Sequence, residues 1–393
     1  MIEASDAITL ILVGVAALGL PLAARRLRLP PVVLEILFGV LVGPVLHIVS
    51  SSSLLESLAR LGFLMLMLLT GFEINIGFFQ RQGSGPIVVG LLGFAATLSA
   101  SWVASQVLDT DPFMVMVLAT TSVGLVVPSL RSAGVASRPI GQDILLGALL
   151  ADFLTLLGVT VIAVLAGGEA GWRLLGIPGF FVIVAAVLLG IRRAAWWHPD
   201  RFGALFAADD TEEMGIRATL ALLFVFVGVA SLLGIESVLA AFLAGGIIAL
   251  VFRERGALDR KLSGFSYGFL IPIFFIDVGI RFDLTAVTDV DALLFTGKLV
   301  IAAFAVKTAS ALVLVLRGHG LRSIAAAAAL LSARLSLIIV VAEIGRHLGF
   351  ISSSQEGSII LLAIVTTIVA PTLFRWLIPA SAGGEPEGAS AGS

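Results

Sequence analysis

Four ionisable residues lie in apolar stretches too far from either end for their side chains to reach water: Asp152, Asp277, Lys307 and Arg334. A charge at mid-bilayer costs roughly 3 kcal/mol, so such residues usually face a partner, a cavity or an ion path. Two acids and two bases can pair around a water-accessible site where a carboxylate exchanges a proton for a small cation. The alternative interpretation is a static buried network of ion pairs that serves packing specificity.

Asp152 is the strongest candidate, because it lies near the middle of the apolar segment 140–166, within GQDILLGALLADFLTLLG. A buried carboxyl group surrounded by cationic groups can hold a proton or a small cation, but rarely both. This mutual exclusion would couple the movement of the two ions.

The composition indicates a polytopic membrane protein. Of the 393 residues, 59% are hydrophobic and 13% are charged, whereas about a quarter of the residues of soluble domains are charged.

The composition also excludes several kinds of site. The sequence has no basic patch of the kind that would indicate binding of nucleic acid. The absence of cysteine excludes disulfides and thiol nucleophiles, and the four histidines lack the spacing of metal ligands, so we expect neither a metal centre nor a cofactor. Acidic Glu3 and Asp6 argue against a cleaved signal peptide.

Apolar runs of the length needed to cross a hydrocarbon core of about 30 Å define the predicted spans. We count thirteen, at about 6–25, 30–48, 55–77, 86–108, 112–132, 140–166, 173–192, 215–233, 236–253, 264–281, 294–316, 320–345 and 356–379. The longest polar connection, 193–214, separates two six-span halves, and the tail 381–393 is predicted to be a disordered cytoplasmic segment.

Basic residues are distributed unequally between the two sides. Two of the 24 Lys and Arg residues lie within spans, 17 lie at one side and five at the other. The positive-inside rule then places the N-terminus outside and the C-terminus in the cytoplasm. Because the number of predicted spans is odd, the two six-span halves have opposite orientations in the membrane. This predicts an inverted repeat with a binding site near the midplane.

The fifth span carries the hydroxyl residues Thr120, Thr121 and Ser122 near its centre, followed by Gly124 and Pro128. We expect this helix to be broken there, because interrupted helices at membrane depth line cavities and expose carbonyl and hydroxyl ligands. A mild proline kink is the alternative. The twelfth span, with Arg334 at its centre, is the predicted counterpart in the second half.

These segments resemble the monovalent cation/proton antiporters, in particular the Kef-type branch, also called the proton antiporter-2 family. The similarity covers nearly the whole membrane domain and rests on the number and order of the matching segments. They are LRLPPVVLEILFGVLVGP at 27–44, LARLGFLMLMLLTGFEIN at 58–75, ATTSVGLVVPSLRSAGVASRPIGQDILLGALLADF at 119–153, VLAAFLAG at 238–245 and GFLIPIFFIDVGIRFDL at 268–284.

The resemblance implies a role for several individual residues. The family's essential aspartate falls on Asp152, its broken-helix hydroxyls on Thr121 and Ser122, and its charge-compensating cations on Lys307 and Arg334. The acid or amide that precedes the aspartate is replaced by Ala151. We therefore expect Asp277 to supply the counter-charge that Lys307 would otherwise lack.

The resemblance also implies the architecture. Within a membrane domain at 1–380, core helices at about 86–166 and 294–379 would move like an elevator against dimerisation helices at about 6–77 and 215–281, joined by a linker helix at 173–192. The expected protein is a homodimer in the bacterial inner membrane, in contact with lipid, that exchanges Na+ or K+ for H+ at one ion-binding carboxylate, hence electroneutrally. No nucleotide-binding regulatory domain is expected in this chain.

Three alternatives remain open from the sequence. An organic-anion symporter of similar inverted-repeat fold would use Lys307 and Arg334 to bind its substrate. A membrane enzyme would need paired acids, a metal set or a nucleophile with its base, and none is recognisable. A binding-only sensor would tolerate loss of the Asp152 carboxylate.

Overall fold

The computed structural model describes residues 4–27, 29–49, 52–72, 85–166, 170–197, 213–251 and 256–378, and all regular structure in these ranges is helical. The predicted tail at 381–393 and most of the 193–214 connection lie outside the described residues. Within these ranges, seventeen α-helices follow one another. They are α1 Ala4–Leu27, α2 Pro31–Val40, α3 Ser53–Phe72, α4 Gly85–Val107, α5 Met114–Ala119, α6 Val123–Ser132, α7 Pro139–Ala166, α8 Ala170–Trp197, α9 Met214–Leu232, α10 Ser237–Val251, α11 Gly256–Phe265, α12 Ile271–Ile280, α13 Thr285–Thr288, α14 Val290–Leu312, α15 Leu321–Leu331, α16 Ser336–His347 and α17 Ser353–Leu377.

Three short segments of altered helical pitch extend or join these helices. A π-helical turn at Leu41–Val45 continues α2, and a second at Ser266–Leu270 joins α11 to α12. A 3-10 turn at Val313–Arg317 continues α14. α17 begins with a capping box in which Ser352 and Gln355 each satisfy the other's backbone N–H.

Among the described residues, ten helical segments are long and apolar enough to cross a membrane, and the bent pair α15 and α16 raises the number to eleven. Two shorter apolar helices, Pro31–Val45 and Ser237–Val251, lie at the predicted second and ninth spans. Every predicted span therefore coincides with a helix or a helix pair. Length and composition support ten or eleven crossings, so the count of thirteen and the inverted repeat stay predictions.

Two helix pairs pack with their backbones in direct contact through glycine. A Cβ on Gly71 of α3 or on Gly245 of α10 would overlap the backbone of the other helix. Gly39 and Gly279 make the same kind of contact between α2 and α12, where Gly43 also faces Ile280. Gly39 and Gly43, one turn apart, thus allow α2 and α12 to pack closely.

We expect Gly245→Val to destabilise the protein by about 1–3 kcal/mol, because the added side chain forces α3 and α10 apart at a close-packed contact. Thermal unfolding of the detergent-purified variant, followed by circular dichroism, measures this effect. Gly14→Val in α1 is the matched control, since a Cβ there meets nothing within 4 Å. Equal melting temperatures for the two variants would contradict the prediction.

The two interrupted segments lie side by side in the fold. α5 packs against α4, α14 and α16, while α6 packs against α7, α15 and α17. The long helices α7, α14 and α17 surround both interruptions, so the side chains on their inner faces meet the residues at the breaks.

Candidate functional site

The fifth span is interrupted at the hydroxyl residues. α5 ends at Ala119 and α6 begins at Val123, and the three residues between them are buried. Thr120 (φ −54°, ψ 152°) and Ser122 (φ −140°, ψ 105°) have extended backbones. The predicted break is confirmed at these residues, whereas Pro128 lies inside α6 rather than at the interruption.

The twelfth span is also interrupted, although it has neither Gly nor Pro at its centre. α15 and α16 meet at an angle of 50° across the residues from Ser332 to Leu335. The hydroxyl of Thr367 in α17 donates to the carbonyl of Arg334 at 3.0 Å. A side chain from a neighbouring helix thus replaces a hydrogen bond that the broken helix cannot make for itself.

Two cationic side chains bind the carbonyl end of α5. Arg334, fully buried, donates from Nη2 to Leu118 O at 2.7 Å and from Nε to Thr120 O at 3.0 Å. Lys307, 1% exposed, donates from Nζ to Ala119 O at 2.8 Å. The carbonyl end of a helix carries partial negative charge, so the two cations satisfy the carbonyls and compensate that charge.

The amide end of α6 faces a carboxylate. Asp152, 4% exposed, accepts from the backbone N–H of Val123 with its Oδ2 at 3.4 Å. The N-terminus of a helix carries partial positive charge and stabilises an anion. The break therefore has a carboxyl group at its positive end and basic side chains at its negative end.

Two hydroxyl residues, Thr121 and Ser122, directly precede the residue whose N–H donates to Asp152. Thr121 Oγ1 accepts from Lys307 Nζ at 2.8 Å, and Ser122 is the residue that precedes α6, 2% exposed. Carboxylate, hydroxyl and carbonyl oxygens are the ligands that hard cations prefer. The structure brings Asp152, Thr121, Ser122, Lys307 and Arg334 together at one place.

Asp277 does not join this group. Its Oδ2 lies 2.9 Å from Nη2 of Arg281, one turn later on the helix. The expectation that Asp277 balances Lys307 is wrong, because an arginine four residues away on the same helix face is a nearer partner.

Asp277 instead lines a large cavity of about 980 Å³, which we call the Asp277 cavity. It lies between α3, α9 and α12 on one side and α16 and α17 on the other. Its ionisable lining residues are mostly acidic: Glu56, Glu236, Asp277, Asp283, Glu343 and Glu356, with Arg60, Arg281, Arg346 and His347.

The sequence interpretation did not single out a further buried acid, Asp143. This residue lies near the start of α7, and its side chain is 2% exposed. Its Oδ2 lies 3.2 Å from Nε of Arg317 and 2.8 Å from Nε2 of His319. The available signal was the pair of basic residues directly after the eleventh predicted span.

A helical membrane protein with two adjacent interrupted helices, and a buried carboxylate at one interruption, has the plan of many secondary transporters. Residues 11–379 match the family model described as "Sodium/hydrogen exchanger, transmembrane". The chain belongs to this sodium/hydrogen exchanger family. The wider resemblance to cation/proton antiporters is confirmed, whereas the comparisons do not single out the Kef-type branch.

Named relatives agree with this assignment. The "Putative Na(+)/H(+) antiporter YjbQ" of Bacillus subtilis is 30% identical over 94% of this chain and 62% of its own length. The chain thus spans less than two thirds of that relative. The "Probable Na(+)/H(+) antiporter 3" of Methanocaldococcus jannaschii is 24% identical over 92% of this chain and 93% of its own length. Both carry the name of an ion exchanger and not of an enzyme.

A solved structure shares the fold. The sodium proton antiporter MjNhaP1 from Methanocaldococcus jannaschii, determined at pH 8, superposes with a TM-score of 0.66 and 16% identity over 94% of this chain and 95% of that chain. At this level of identity the likeness establishes the fold alone.

Proposed function

We propose that this protein is a secondary active transporter that exchanges protons for Na+ across the membrane. The observation that carries the proposal is the position of Asp152: a buried carboxylate at the positive end of α6, beside the hydroxyl residues of the break. Membership of the exchanger family and the printed names of the relatives support the same activity.

Asp152 would bind the cation and the proton in competition. The deprotonated carboxylate, together with oxygens of Thr121 and Ser122, can coordinate Na+. The protonated carboxyl group is uncharged and binds Na+ much more weakly. Lys307 and Arg334 compensate the partial negative charge at the carbonyl end of α5. Their positive charges also balance the negative charge of Asp152 when no cation is bound. Among the described residues, their hydrogen bonds reach backbone carbonyls and Thr121, so the geometry gives no specific support to an organic-anion substrate.

The Asp277 cavity supports a mechanism in which two groups of helices move past each other. It separates α3, α9 and α12, in the predicted dimerisation part, from α16 and α17, in the predicted core. Its acidic lining would concentrate cations at that entrance. We propose an elevator-type movement of the core, in a homodimer of the inner membrane with the N-terminus outside.

Further details of the exchange extend this proposal. One ion-binding carboxylate corresponds to one proton per monovalent cation, so the exchange would be electroneutral. Potassium would be the second candidate cation, since the relative GerN of Bacillus cereus carries the name of an Na(+)/H(+)-K(+) antiporter. Assignment to the Kef-type branch belongs to the same set of proposals.

Proteoliposomes loaded with a pH-sensitive dye test the activity. An inward gradient of Na+ should alkalinise the lumen, because a proton leaves for each Na+ that enters. K+ and Li+ should be compared with Na+, and choline should give no response. An imposed membrane potential should leave the electroneutral rate unchanged. A proton response insensitive to every cation would refute the proposal.

A further inference from the structure

Asp143 has one carboxylate oxygen that its ion-pair partners do not use. Arg317 and His319 both contact Oδ2. Oδ1 is buried and has no hydrogen-bond partner among the described residues. A buried carboxylate oxygen without a hydrogen-bond partner is costly unless water reaches it. We therefore expect space beside Oδ1 that can hold water.

This carboxylate lines a small polar cavity of about 30 Å³, which we call the Asp143 cavity. Three helix faces enclose it, each contributing residues about one turn apart. They are Asp143, Gly147 and Ala151 on α7, Lys307 and Ser310 on α14 with Leu314 on the 3-10 turn that continues it, and Gly90, Gly93 and Thr97 on α4. The cavity thus runs along the helices and has ionisable groups towards both of its ends.

The dimensions suit a short chain of water. Asp143 and Ala151 are eight residues apart on one helix, hence about 12 Å. A cavity of this volume holds one or two waters, so side chains must span the rest of the distance. Hydroxyl groups complete the path: Ser310 and Thr97 each donate to Gly93 O at 2.9 Å. Their oxygens keep lone pairs that can accept from water.

The deep end of the cavity adjoins the candidate ion site. Lys307 and Thr121 both line it and are hydrogen-bonded to each other at 2.8 Å. Lys307 also lies within electrostatic range of Asp152. A proton that leaves Asp152 therefore has an amine beside it and a polar cavity beyond the amine.

We propose that Asp143 is a proton-relay residue that passes protons between the candidate ion site and the water at the Asp143 end of the molecule, through the Asp143 cavity. A proton that leaves the carboxyl group of Asp152 enters the cavity beside Lys307 and Thr121, moves along waters and hydroxyl groups to Asp143 Oδ1, and is released towards His319 and bulk water. Asp143 and the waters end unchanged, so one proton still leaves for each cation that binds.

Arg317 and His319, the ion-pair partners of Asp143, connect it to solvent. The side chain of Arg317 is 31% exposed and that of His319 is 13% exposed, whereas Asp143 itself is 2% exposed. These residues follow the eleventh predicted span, on the side that the positive-inside rule places in the cytoplasm. The Asp143 cavity would thus give protons a route on that side.

This inference rests on the proposed exchange activity, and Asp143→Asn in proteoliposomes tests it. We expect the maximal rate of Na+-dependent proton movement to fall about tenfold or more, with the Na+ concentration for half-maximal rate unchanged. Asp143→Glu, which keeps the titratable group, should restore much of the rate. A wild-type rate in Asp143→Asn would overturn the relay while the wild-type protein still exchanges ions.

A second variant separates the relay from a structural role of the ion pair. Gly147→Val fills the cavity without changing a titratable group, since a Cβ at Gly147 meets nothing within 4 Å. It should slow exchange like Asp143→Asn, whereas Gly190→Val in α8, equally unobstructed, should not. If Arg317→Gln slows exchange as much as Asp143→Asn while Gly147→Val leaves it unchanged, Asp143 only anchors Arg317 and the relay is refuted. Loss of exchange in the wild-type protein would instead refute the activity itself.

Discussion

Replacing Asp152 by Asn should reduce cation-dependent proton exchange to the level of protein-free liposomes. The amide keeps the size of the side chain, and its oxygen can still accept from the N–H of Val123, so the break retains its hydrogen bond. What the variant loses is the group that carries either a proton or a positive ion. Without that group neither half of the exchange cycle can run.

Asp291→Asn is the matched control for this experiment, because Asp291 is an exposed acid in the first turn of α14. It should exchange at the wild-type rate. The melting temperature of Asp152→Asn should equal or exceed that of the wild-type protein, since the variant removes a charge from a buried position. Retained exchange in a folded Asp152→Asn protein would favour a binding-only role for the chain.

The largest loss of stability should follow replacement of Arg334 by Met. The guanidinium reaches from one interrupted span to the other and binds Leu118 O and Thr120 O. Methionine has a similar length but no donors, so it leaves both buried carbonyls unsatisfied. At roughly 1–3 kcal/mol for each orphaned group, the free energy of unfolding should fall by about 3 kcal/mol. Thermal unfolding in detergent measures the change.

Two further variants make this prediction specific. Arg334→Lys should be intermediate, because an ammonium is a point donor and lacks the planar fork that reaches two carbonyls at once. Thr367→Val removes only the hydrogen bond to the carbonyl of Arg334 and should cost about 1 kcal/mol. An Arg334→Met protein as stable as Thr367→Val would show that the contacts between the breaks contribute little to stability.

Much of the helical plan follows from hydropathy, because the bilayer imposes a minimum length on each apolar run. The break at Thr120–Ser122 was also predictable, since three consecutive hydroxyl residues interrupt a long apolar stretch. The interruption at Arg334 had a weaker local signal. It has no Gly or Pro, and its backbone is satisfied by Thr367, a residue 33 positions away.

The sequence indicated which charged residues are important, but it did not correctly predict which residues they contact. Asp152, Lys307 and Arg334 stand out because a charge in an apolar run is costly wherever it lies. The cost of burying a charge does not show which group in the fold binds it. Lys307 and Arg334 bind carbonyls more than 180 positions away in sequence, and Asp277 binds its own neighbour Arg281. Asp143 was overlooked because burial at a helix end depends on packing by α14 and the segment after it.

The glycine contacts of the fold limit which helices can move relative to each other. Where α3 meets α10, and where α2 meets α12, no layer of side chains separates the two backbones. Sliding one helix along the other would push Cα atoms and carbonyls together, so each pair can be displaced only as a single rigid unit. Any change in the width of the Asp277 cavity must therefore arise where side chains, rather than backbones, form the boundary, which includes the surfaces that α9, α16 and α17 present to it.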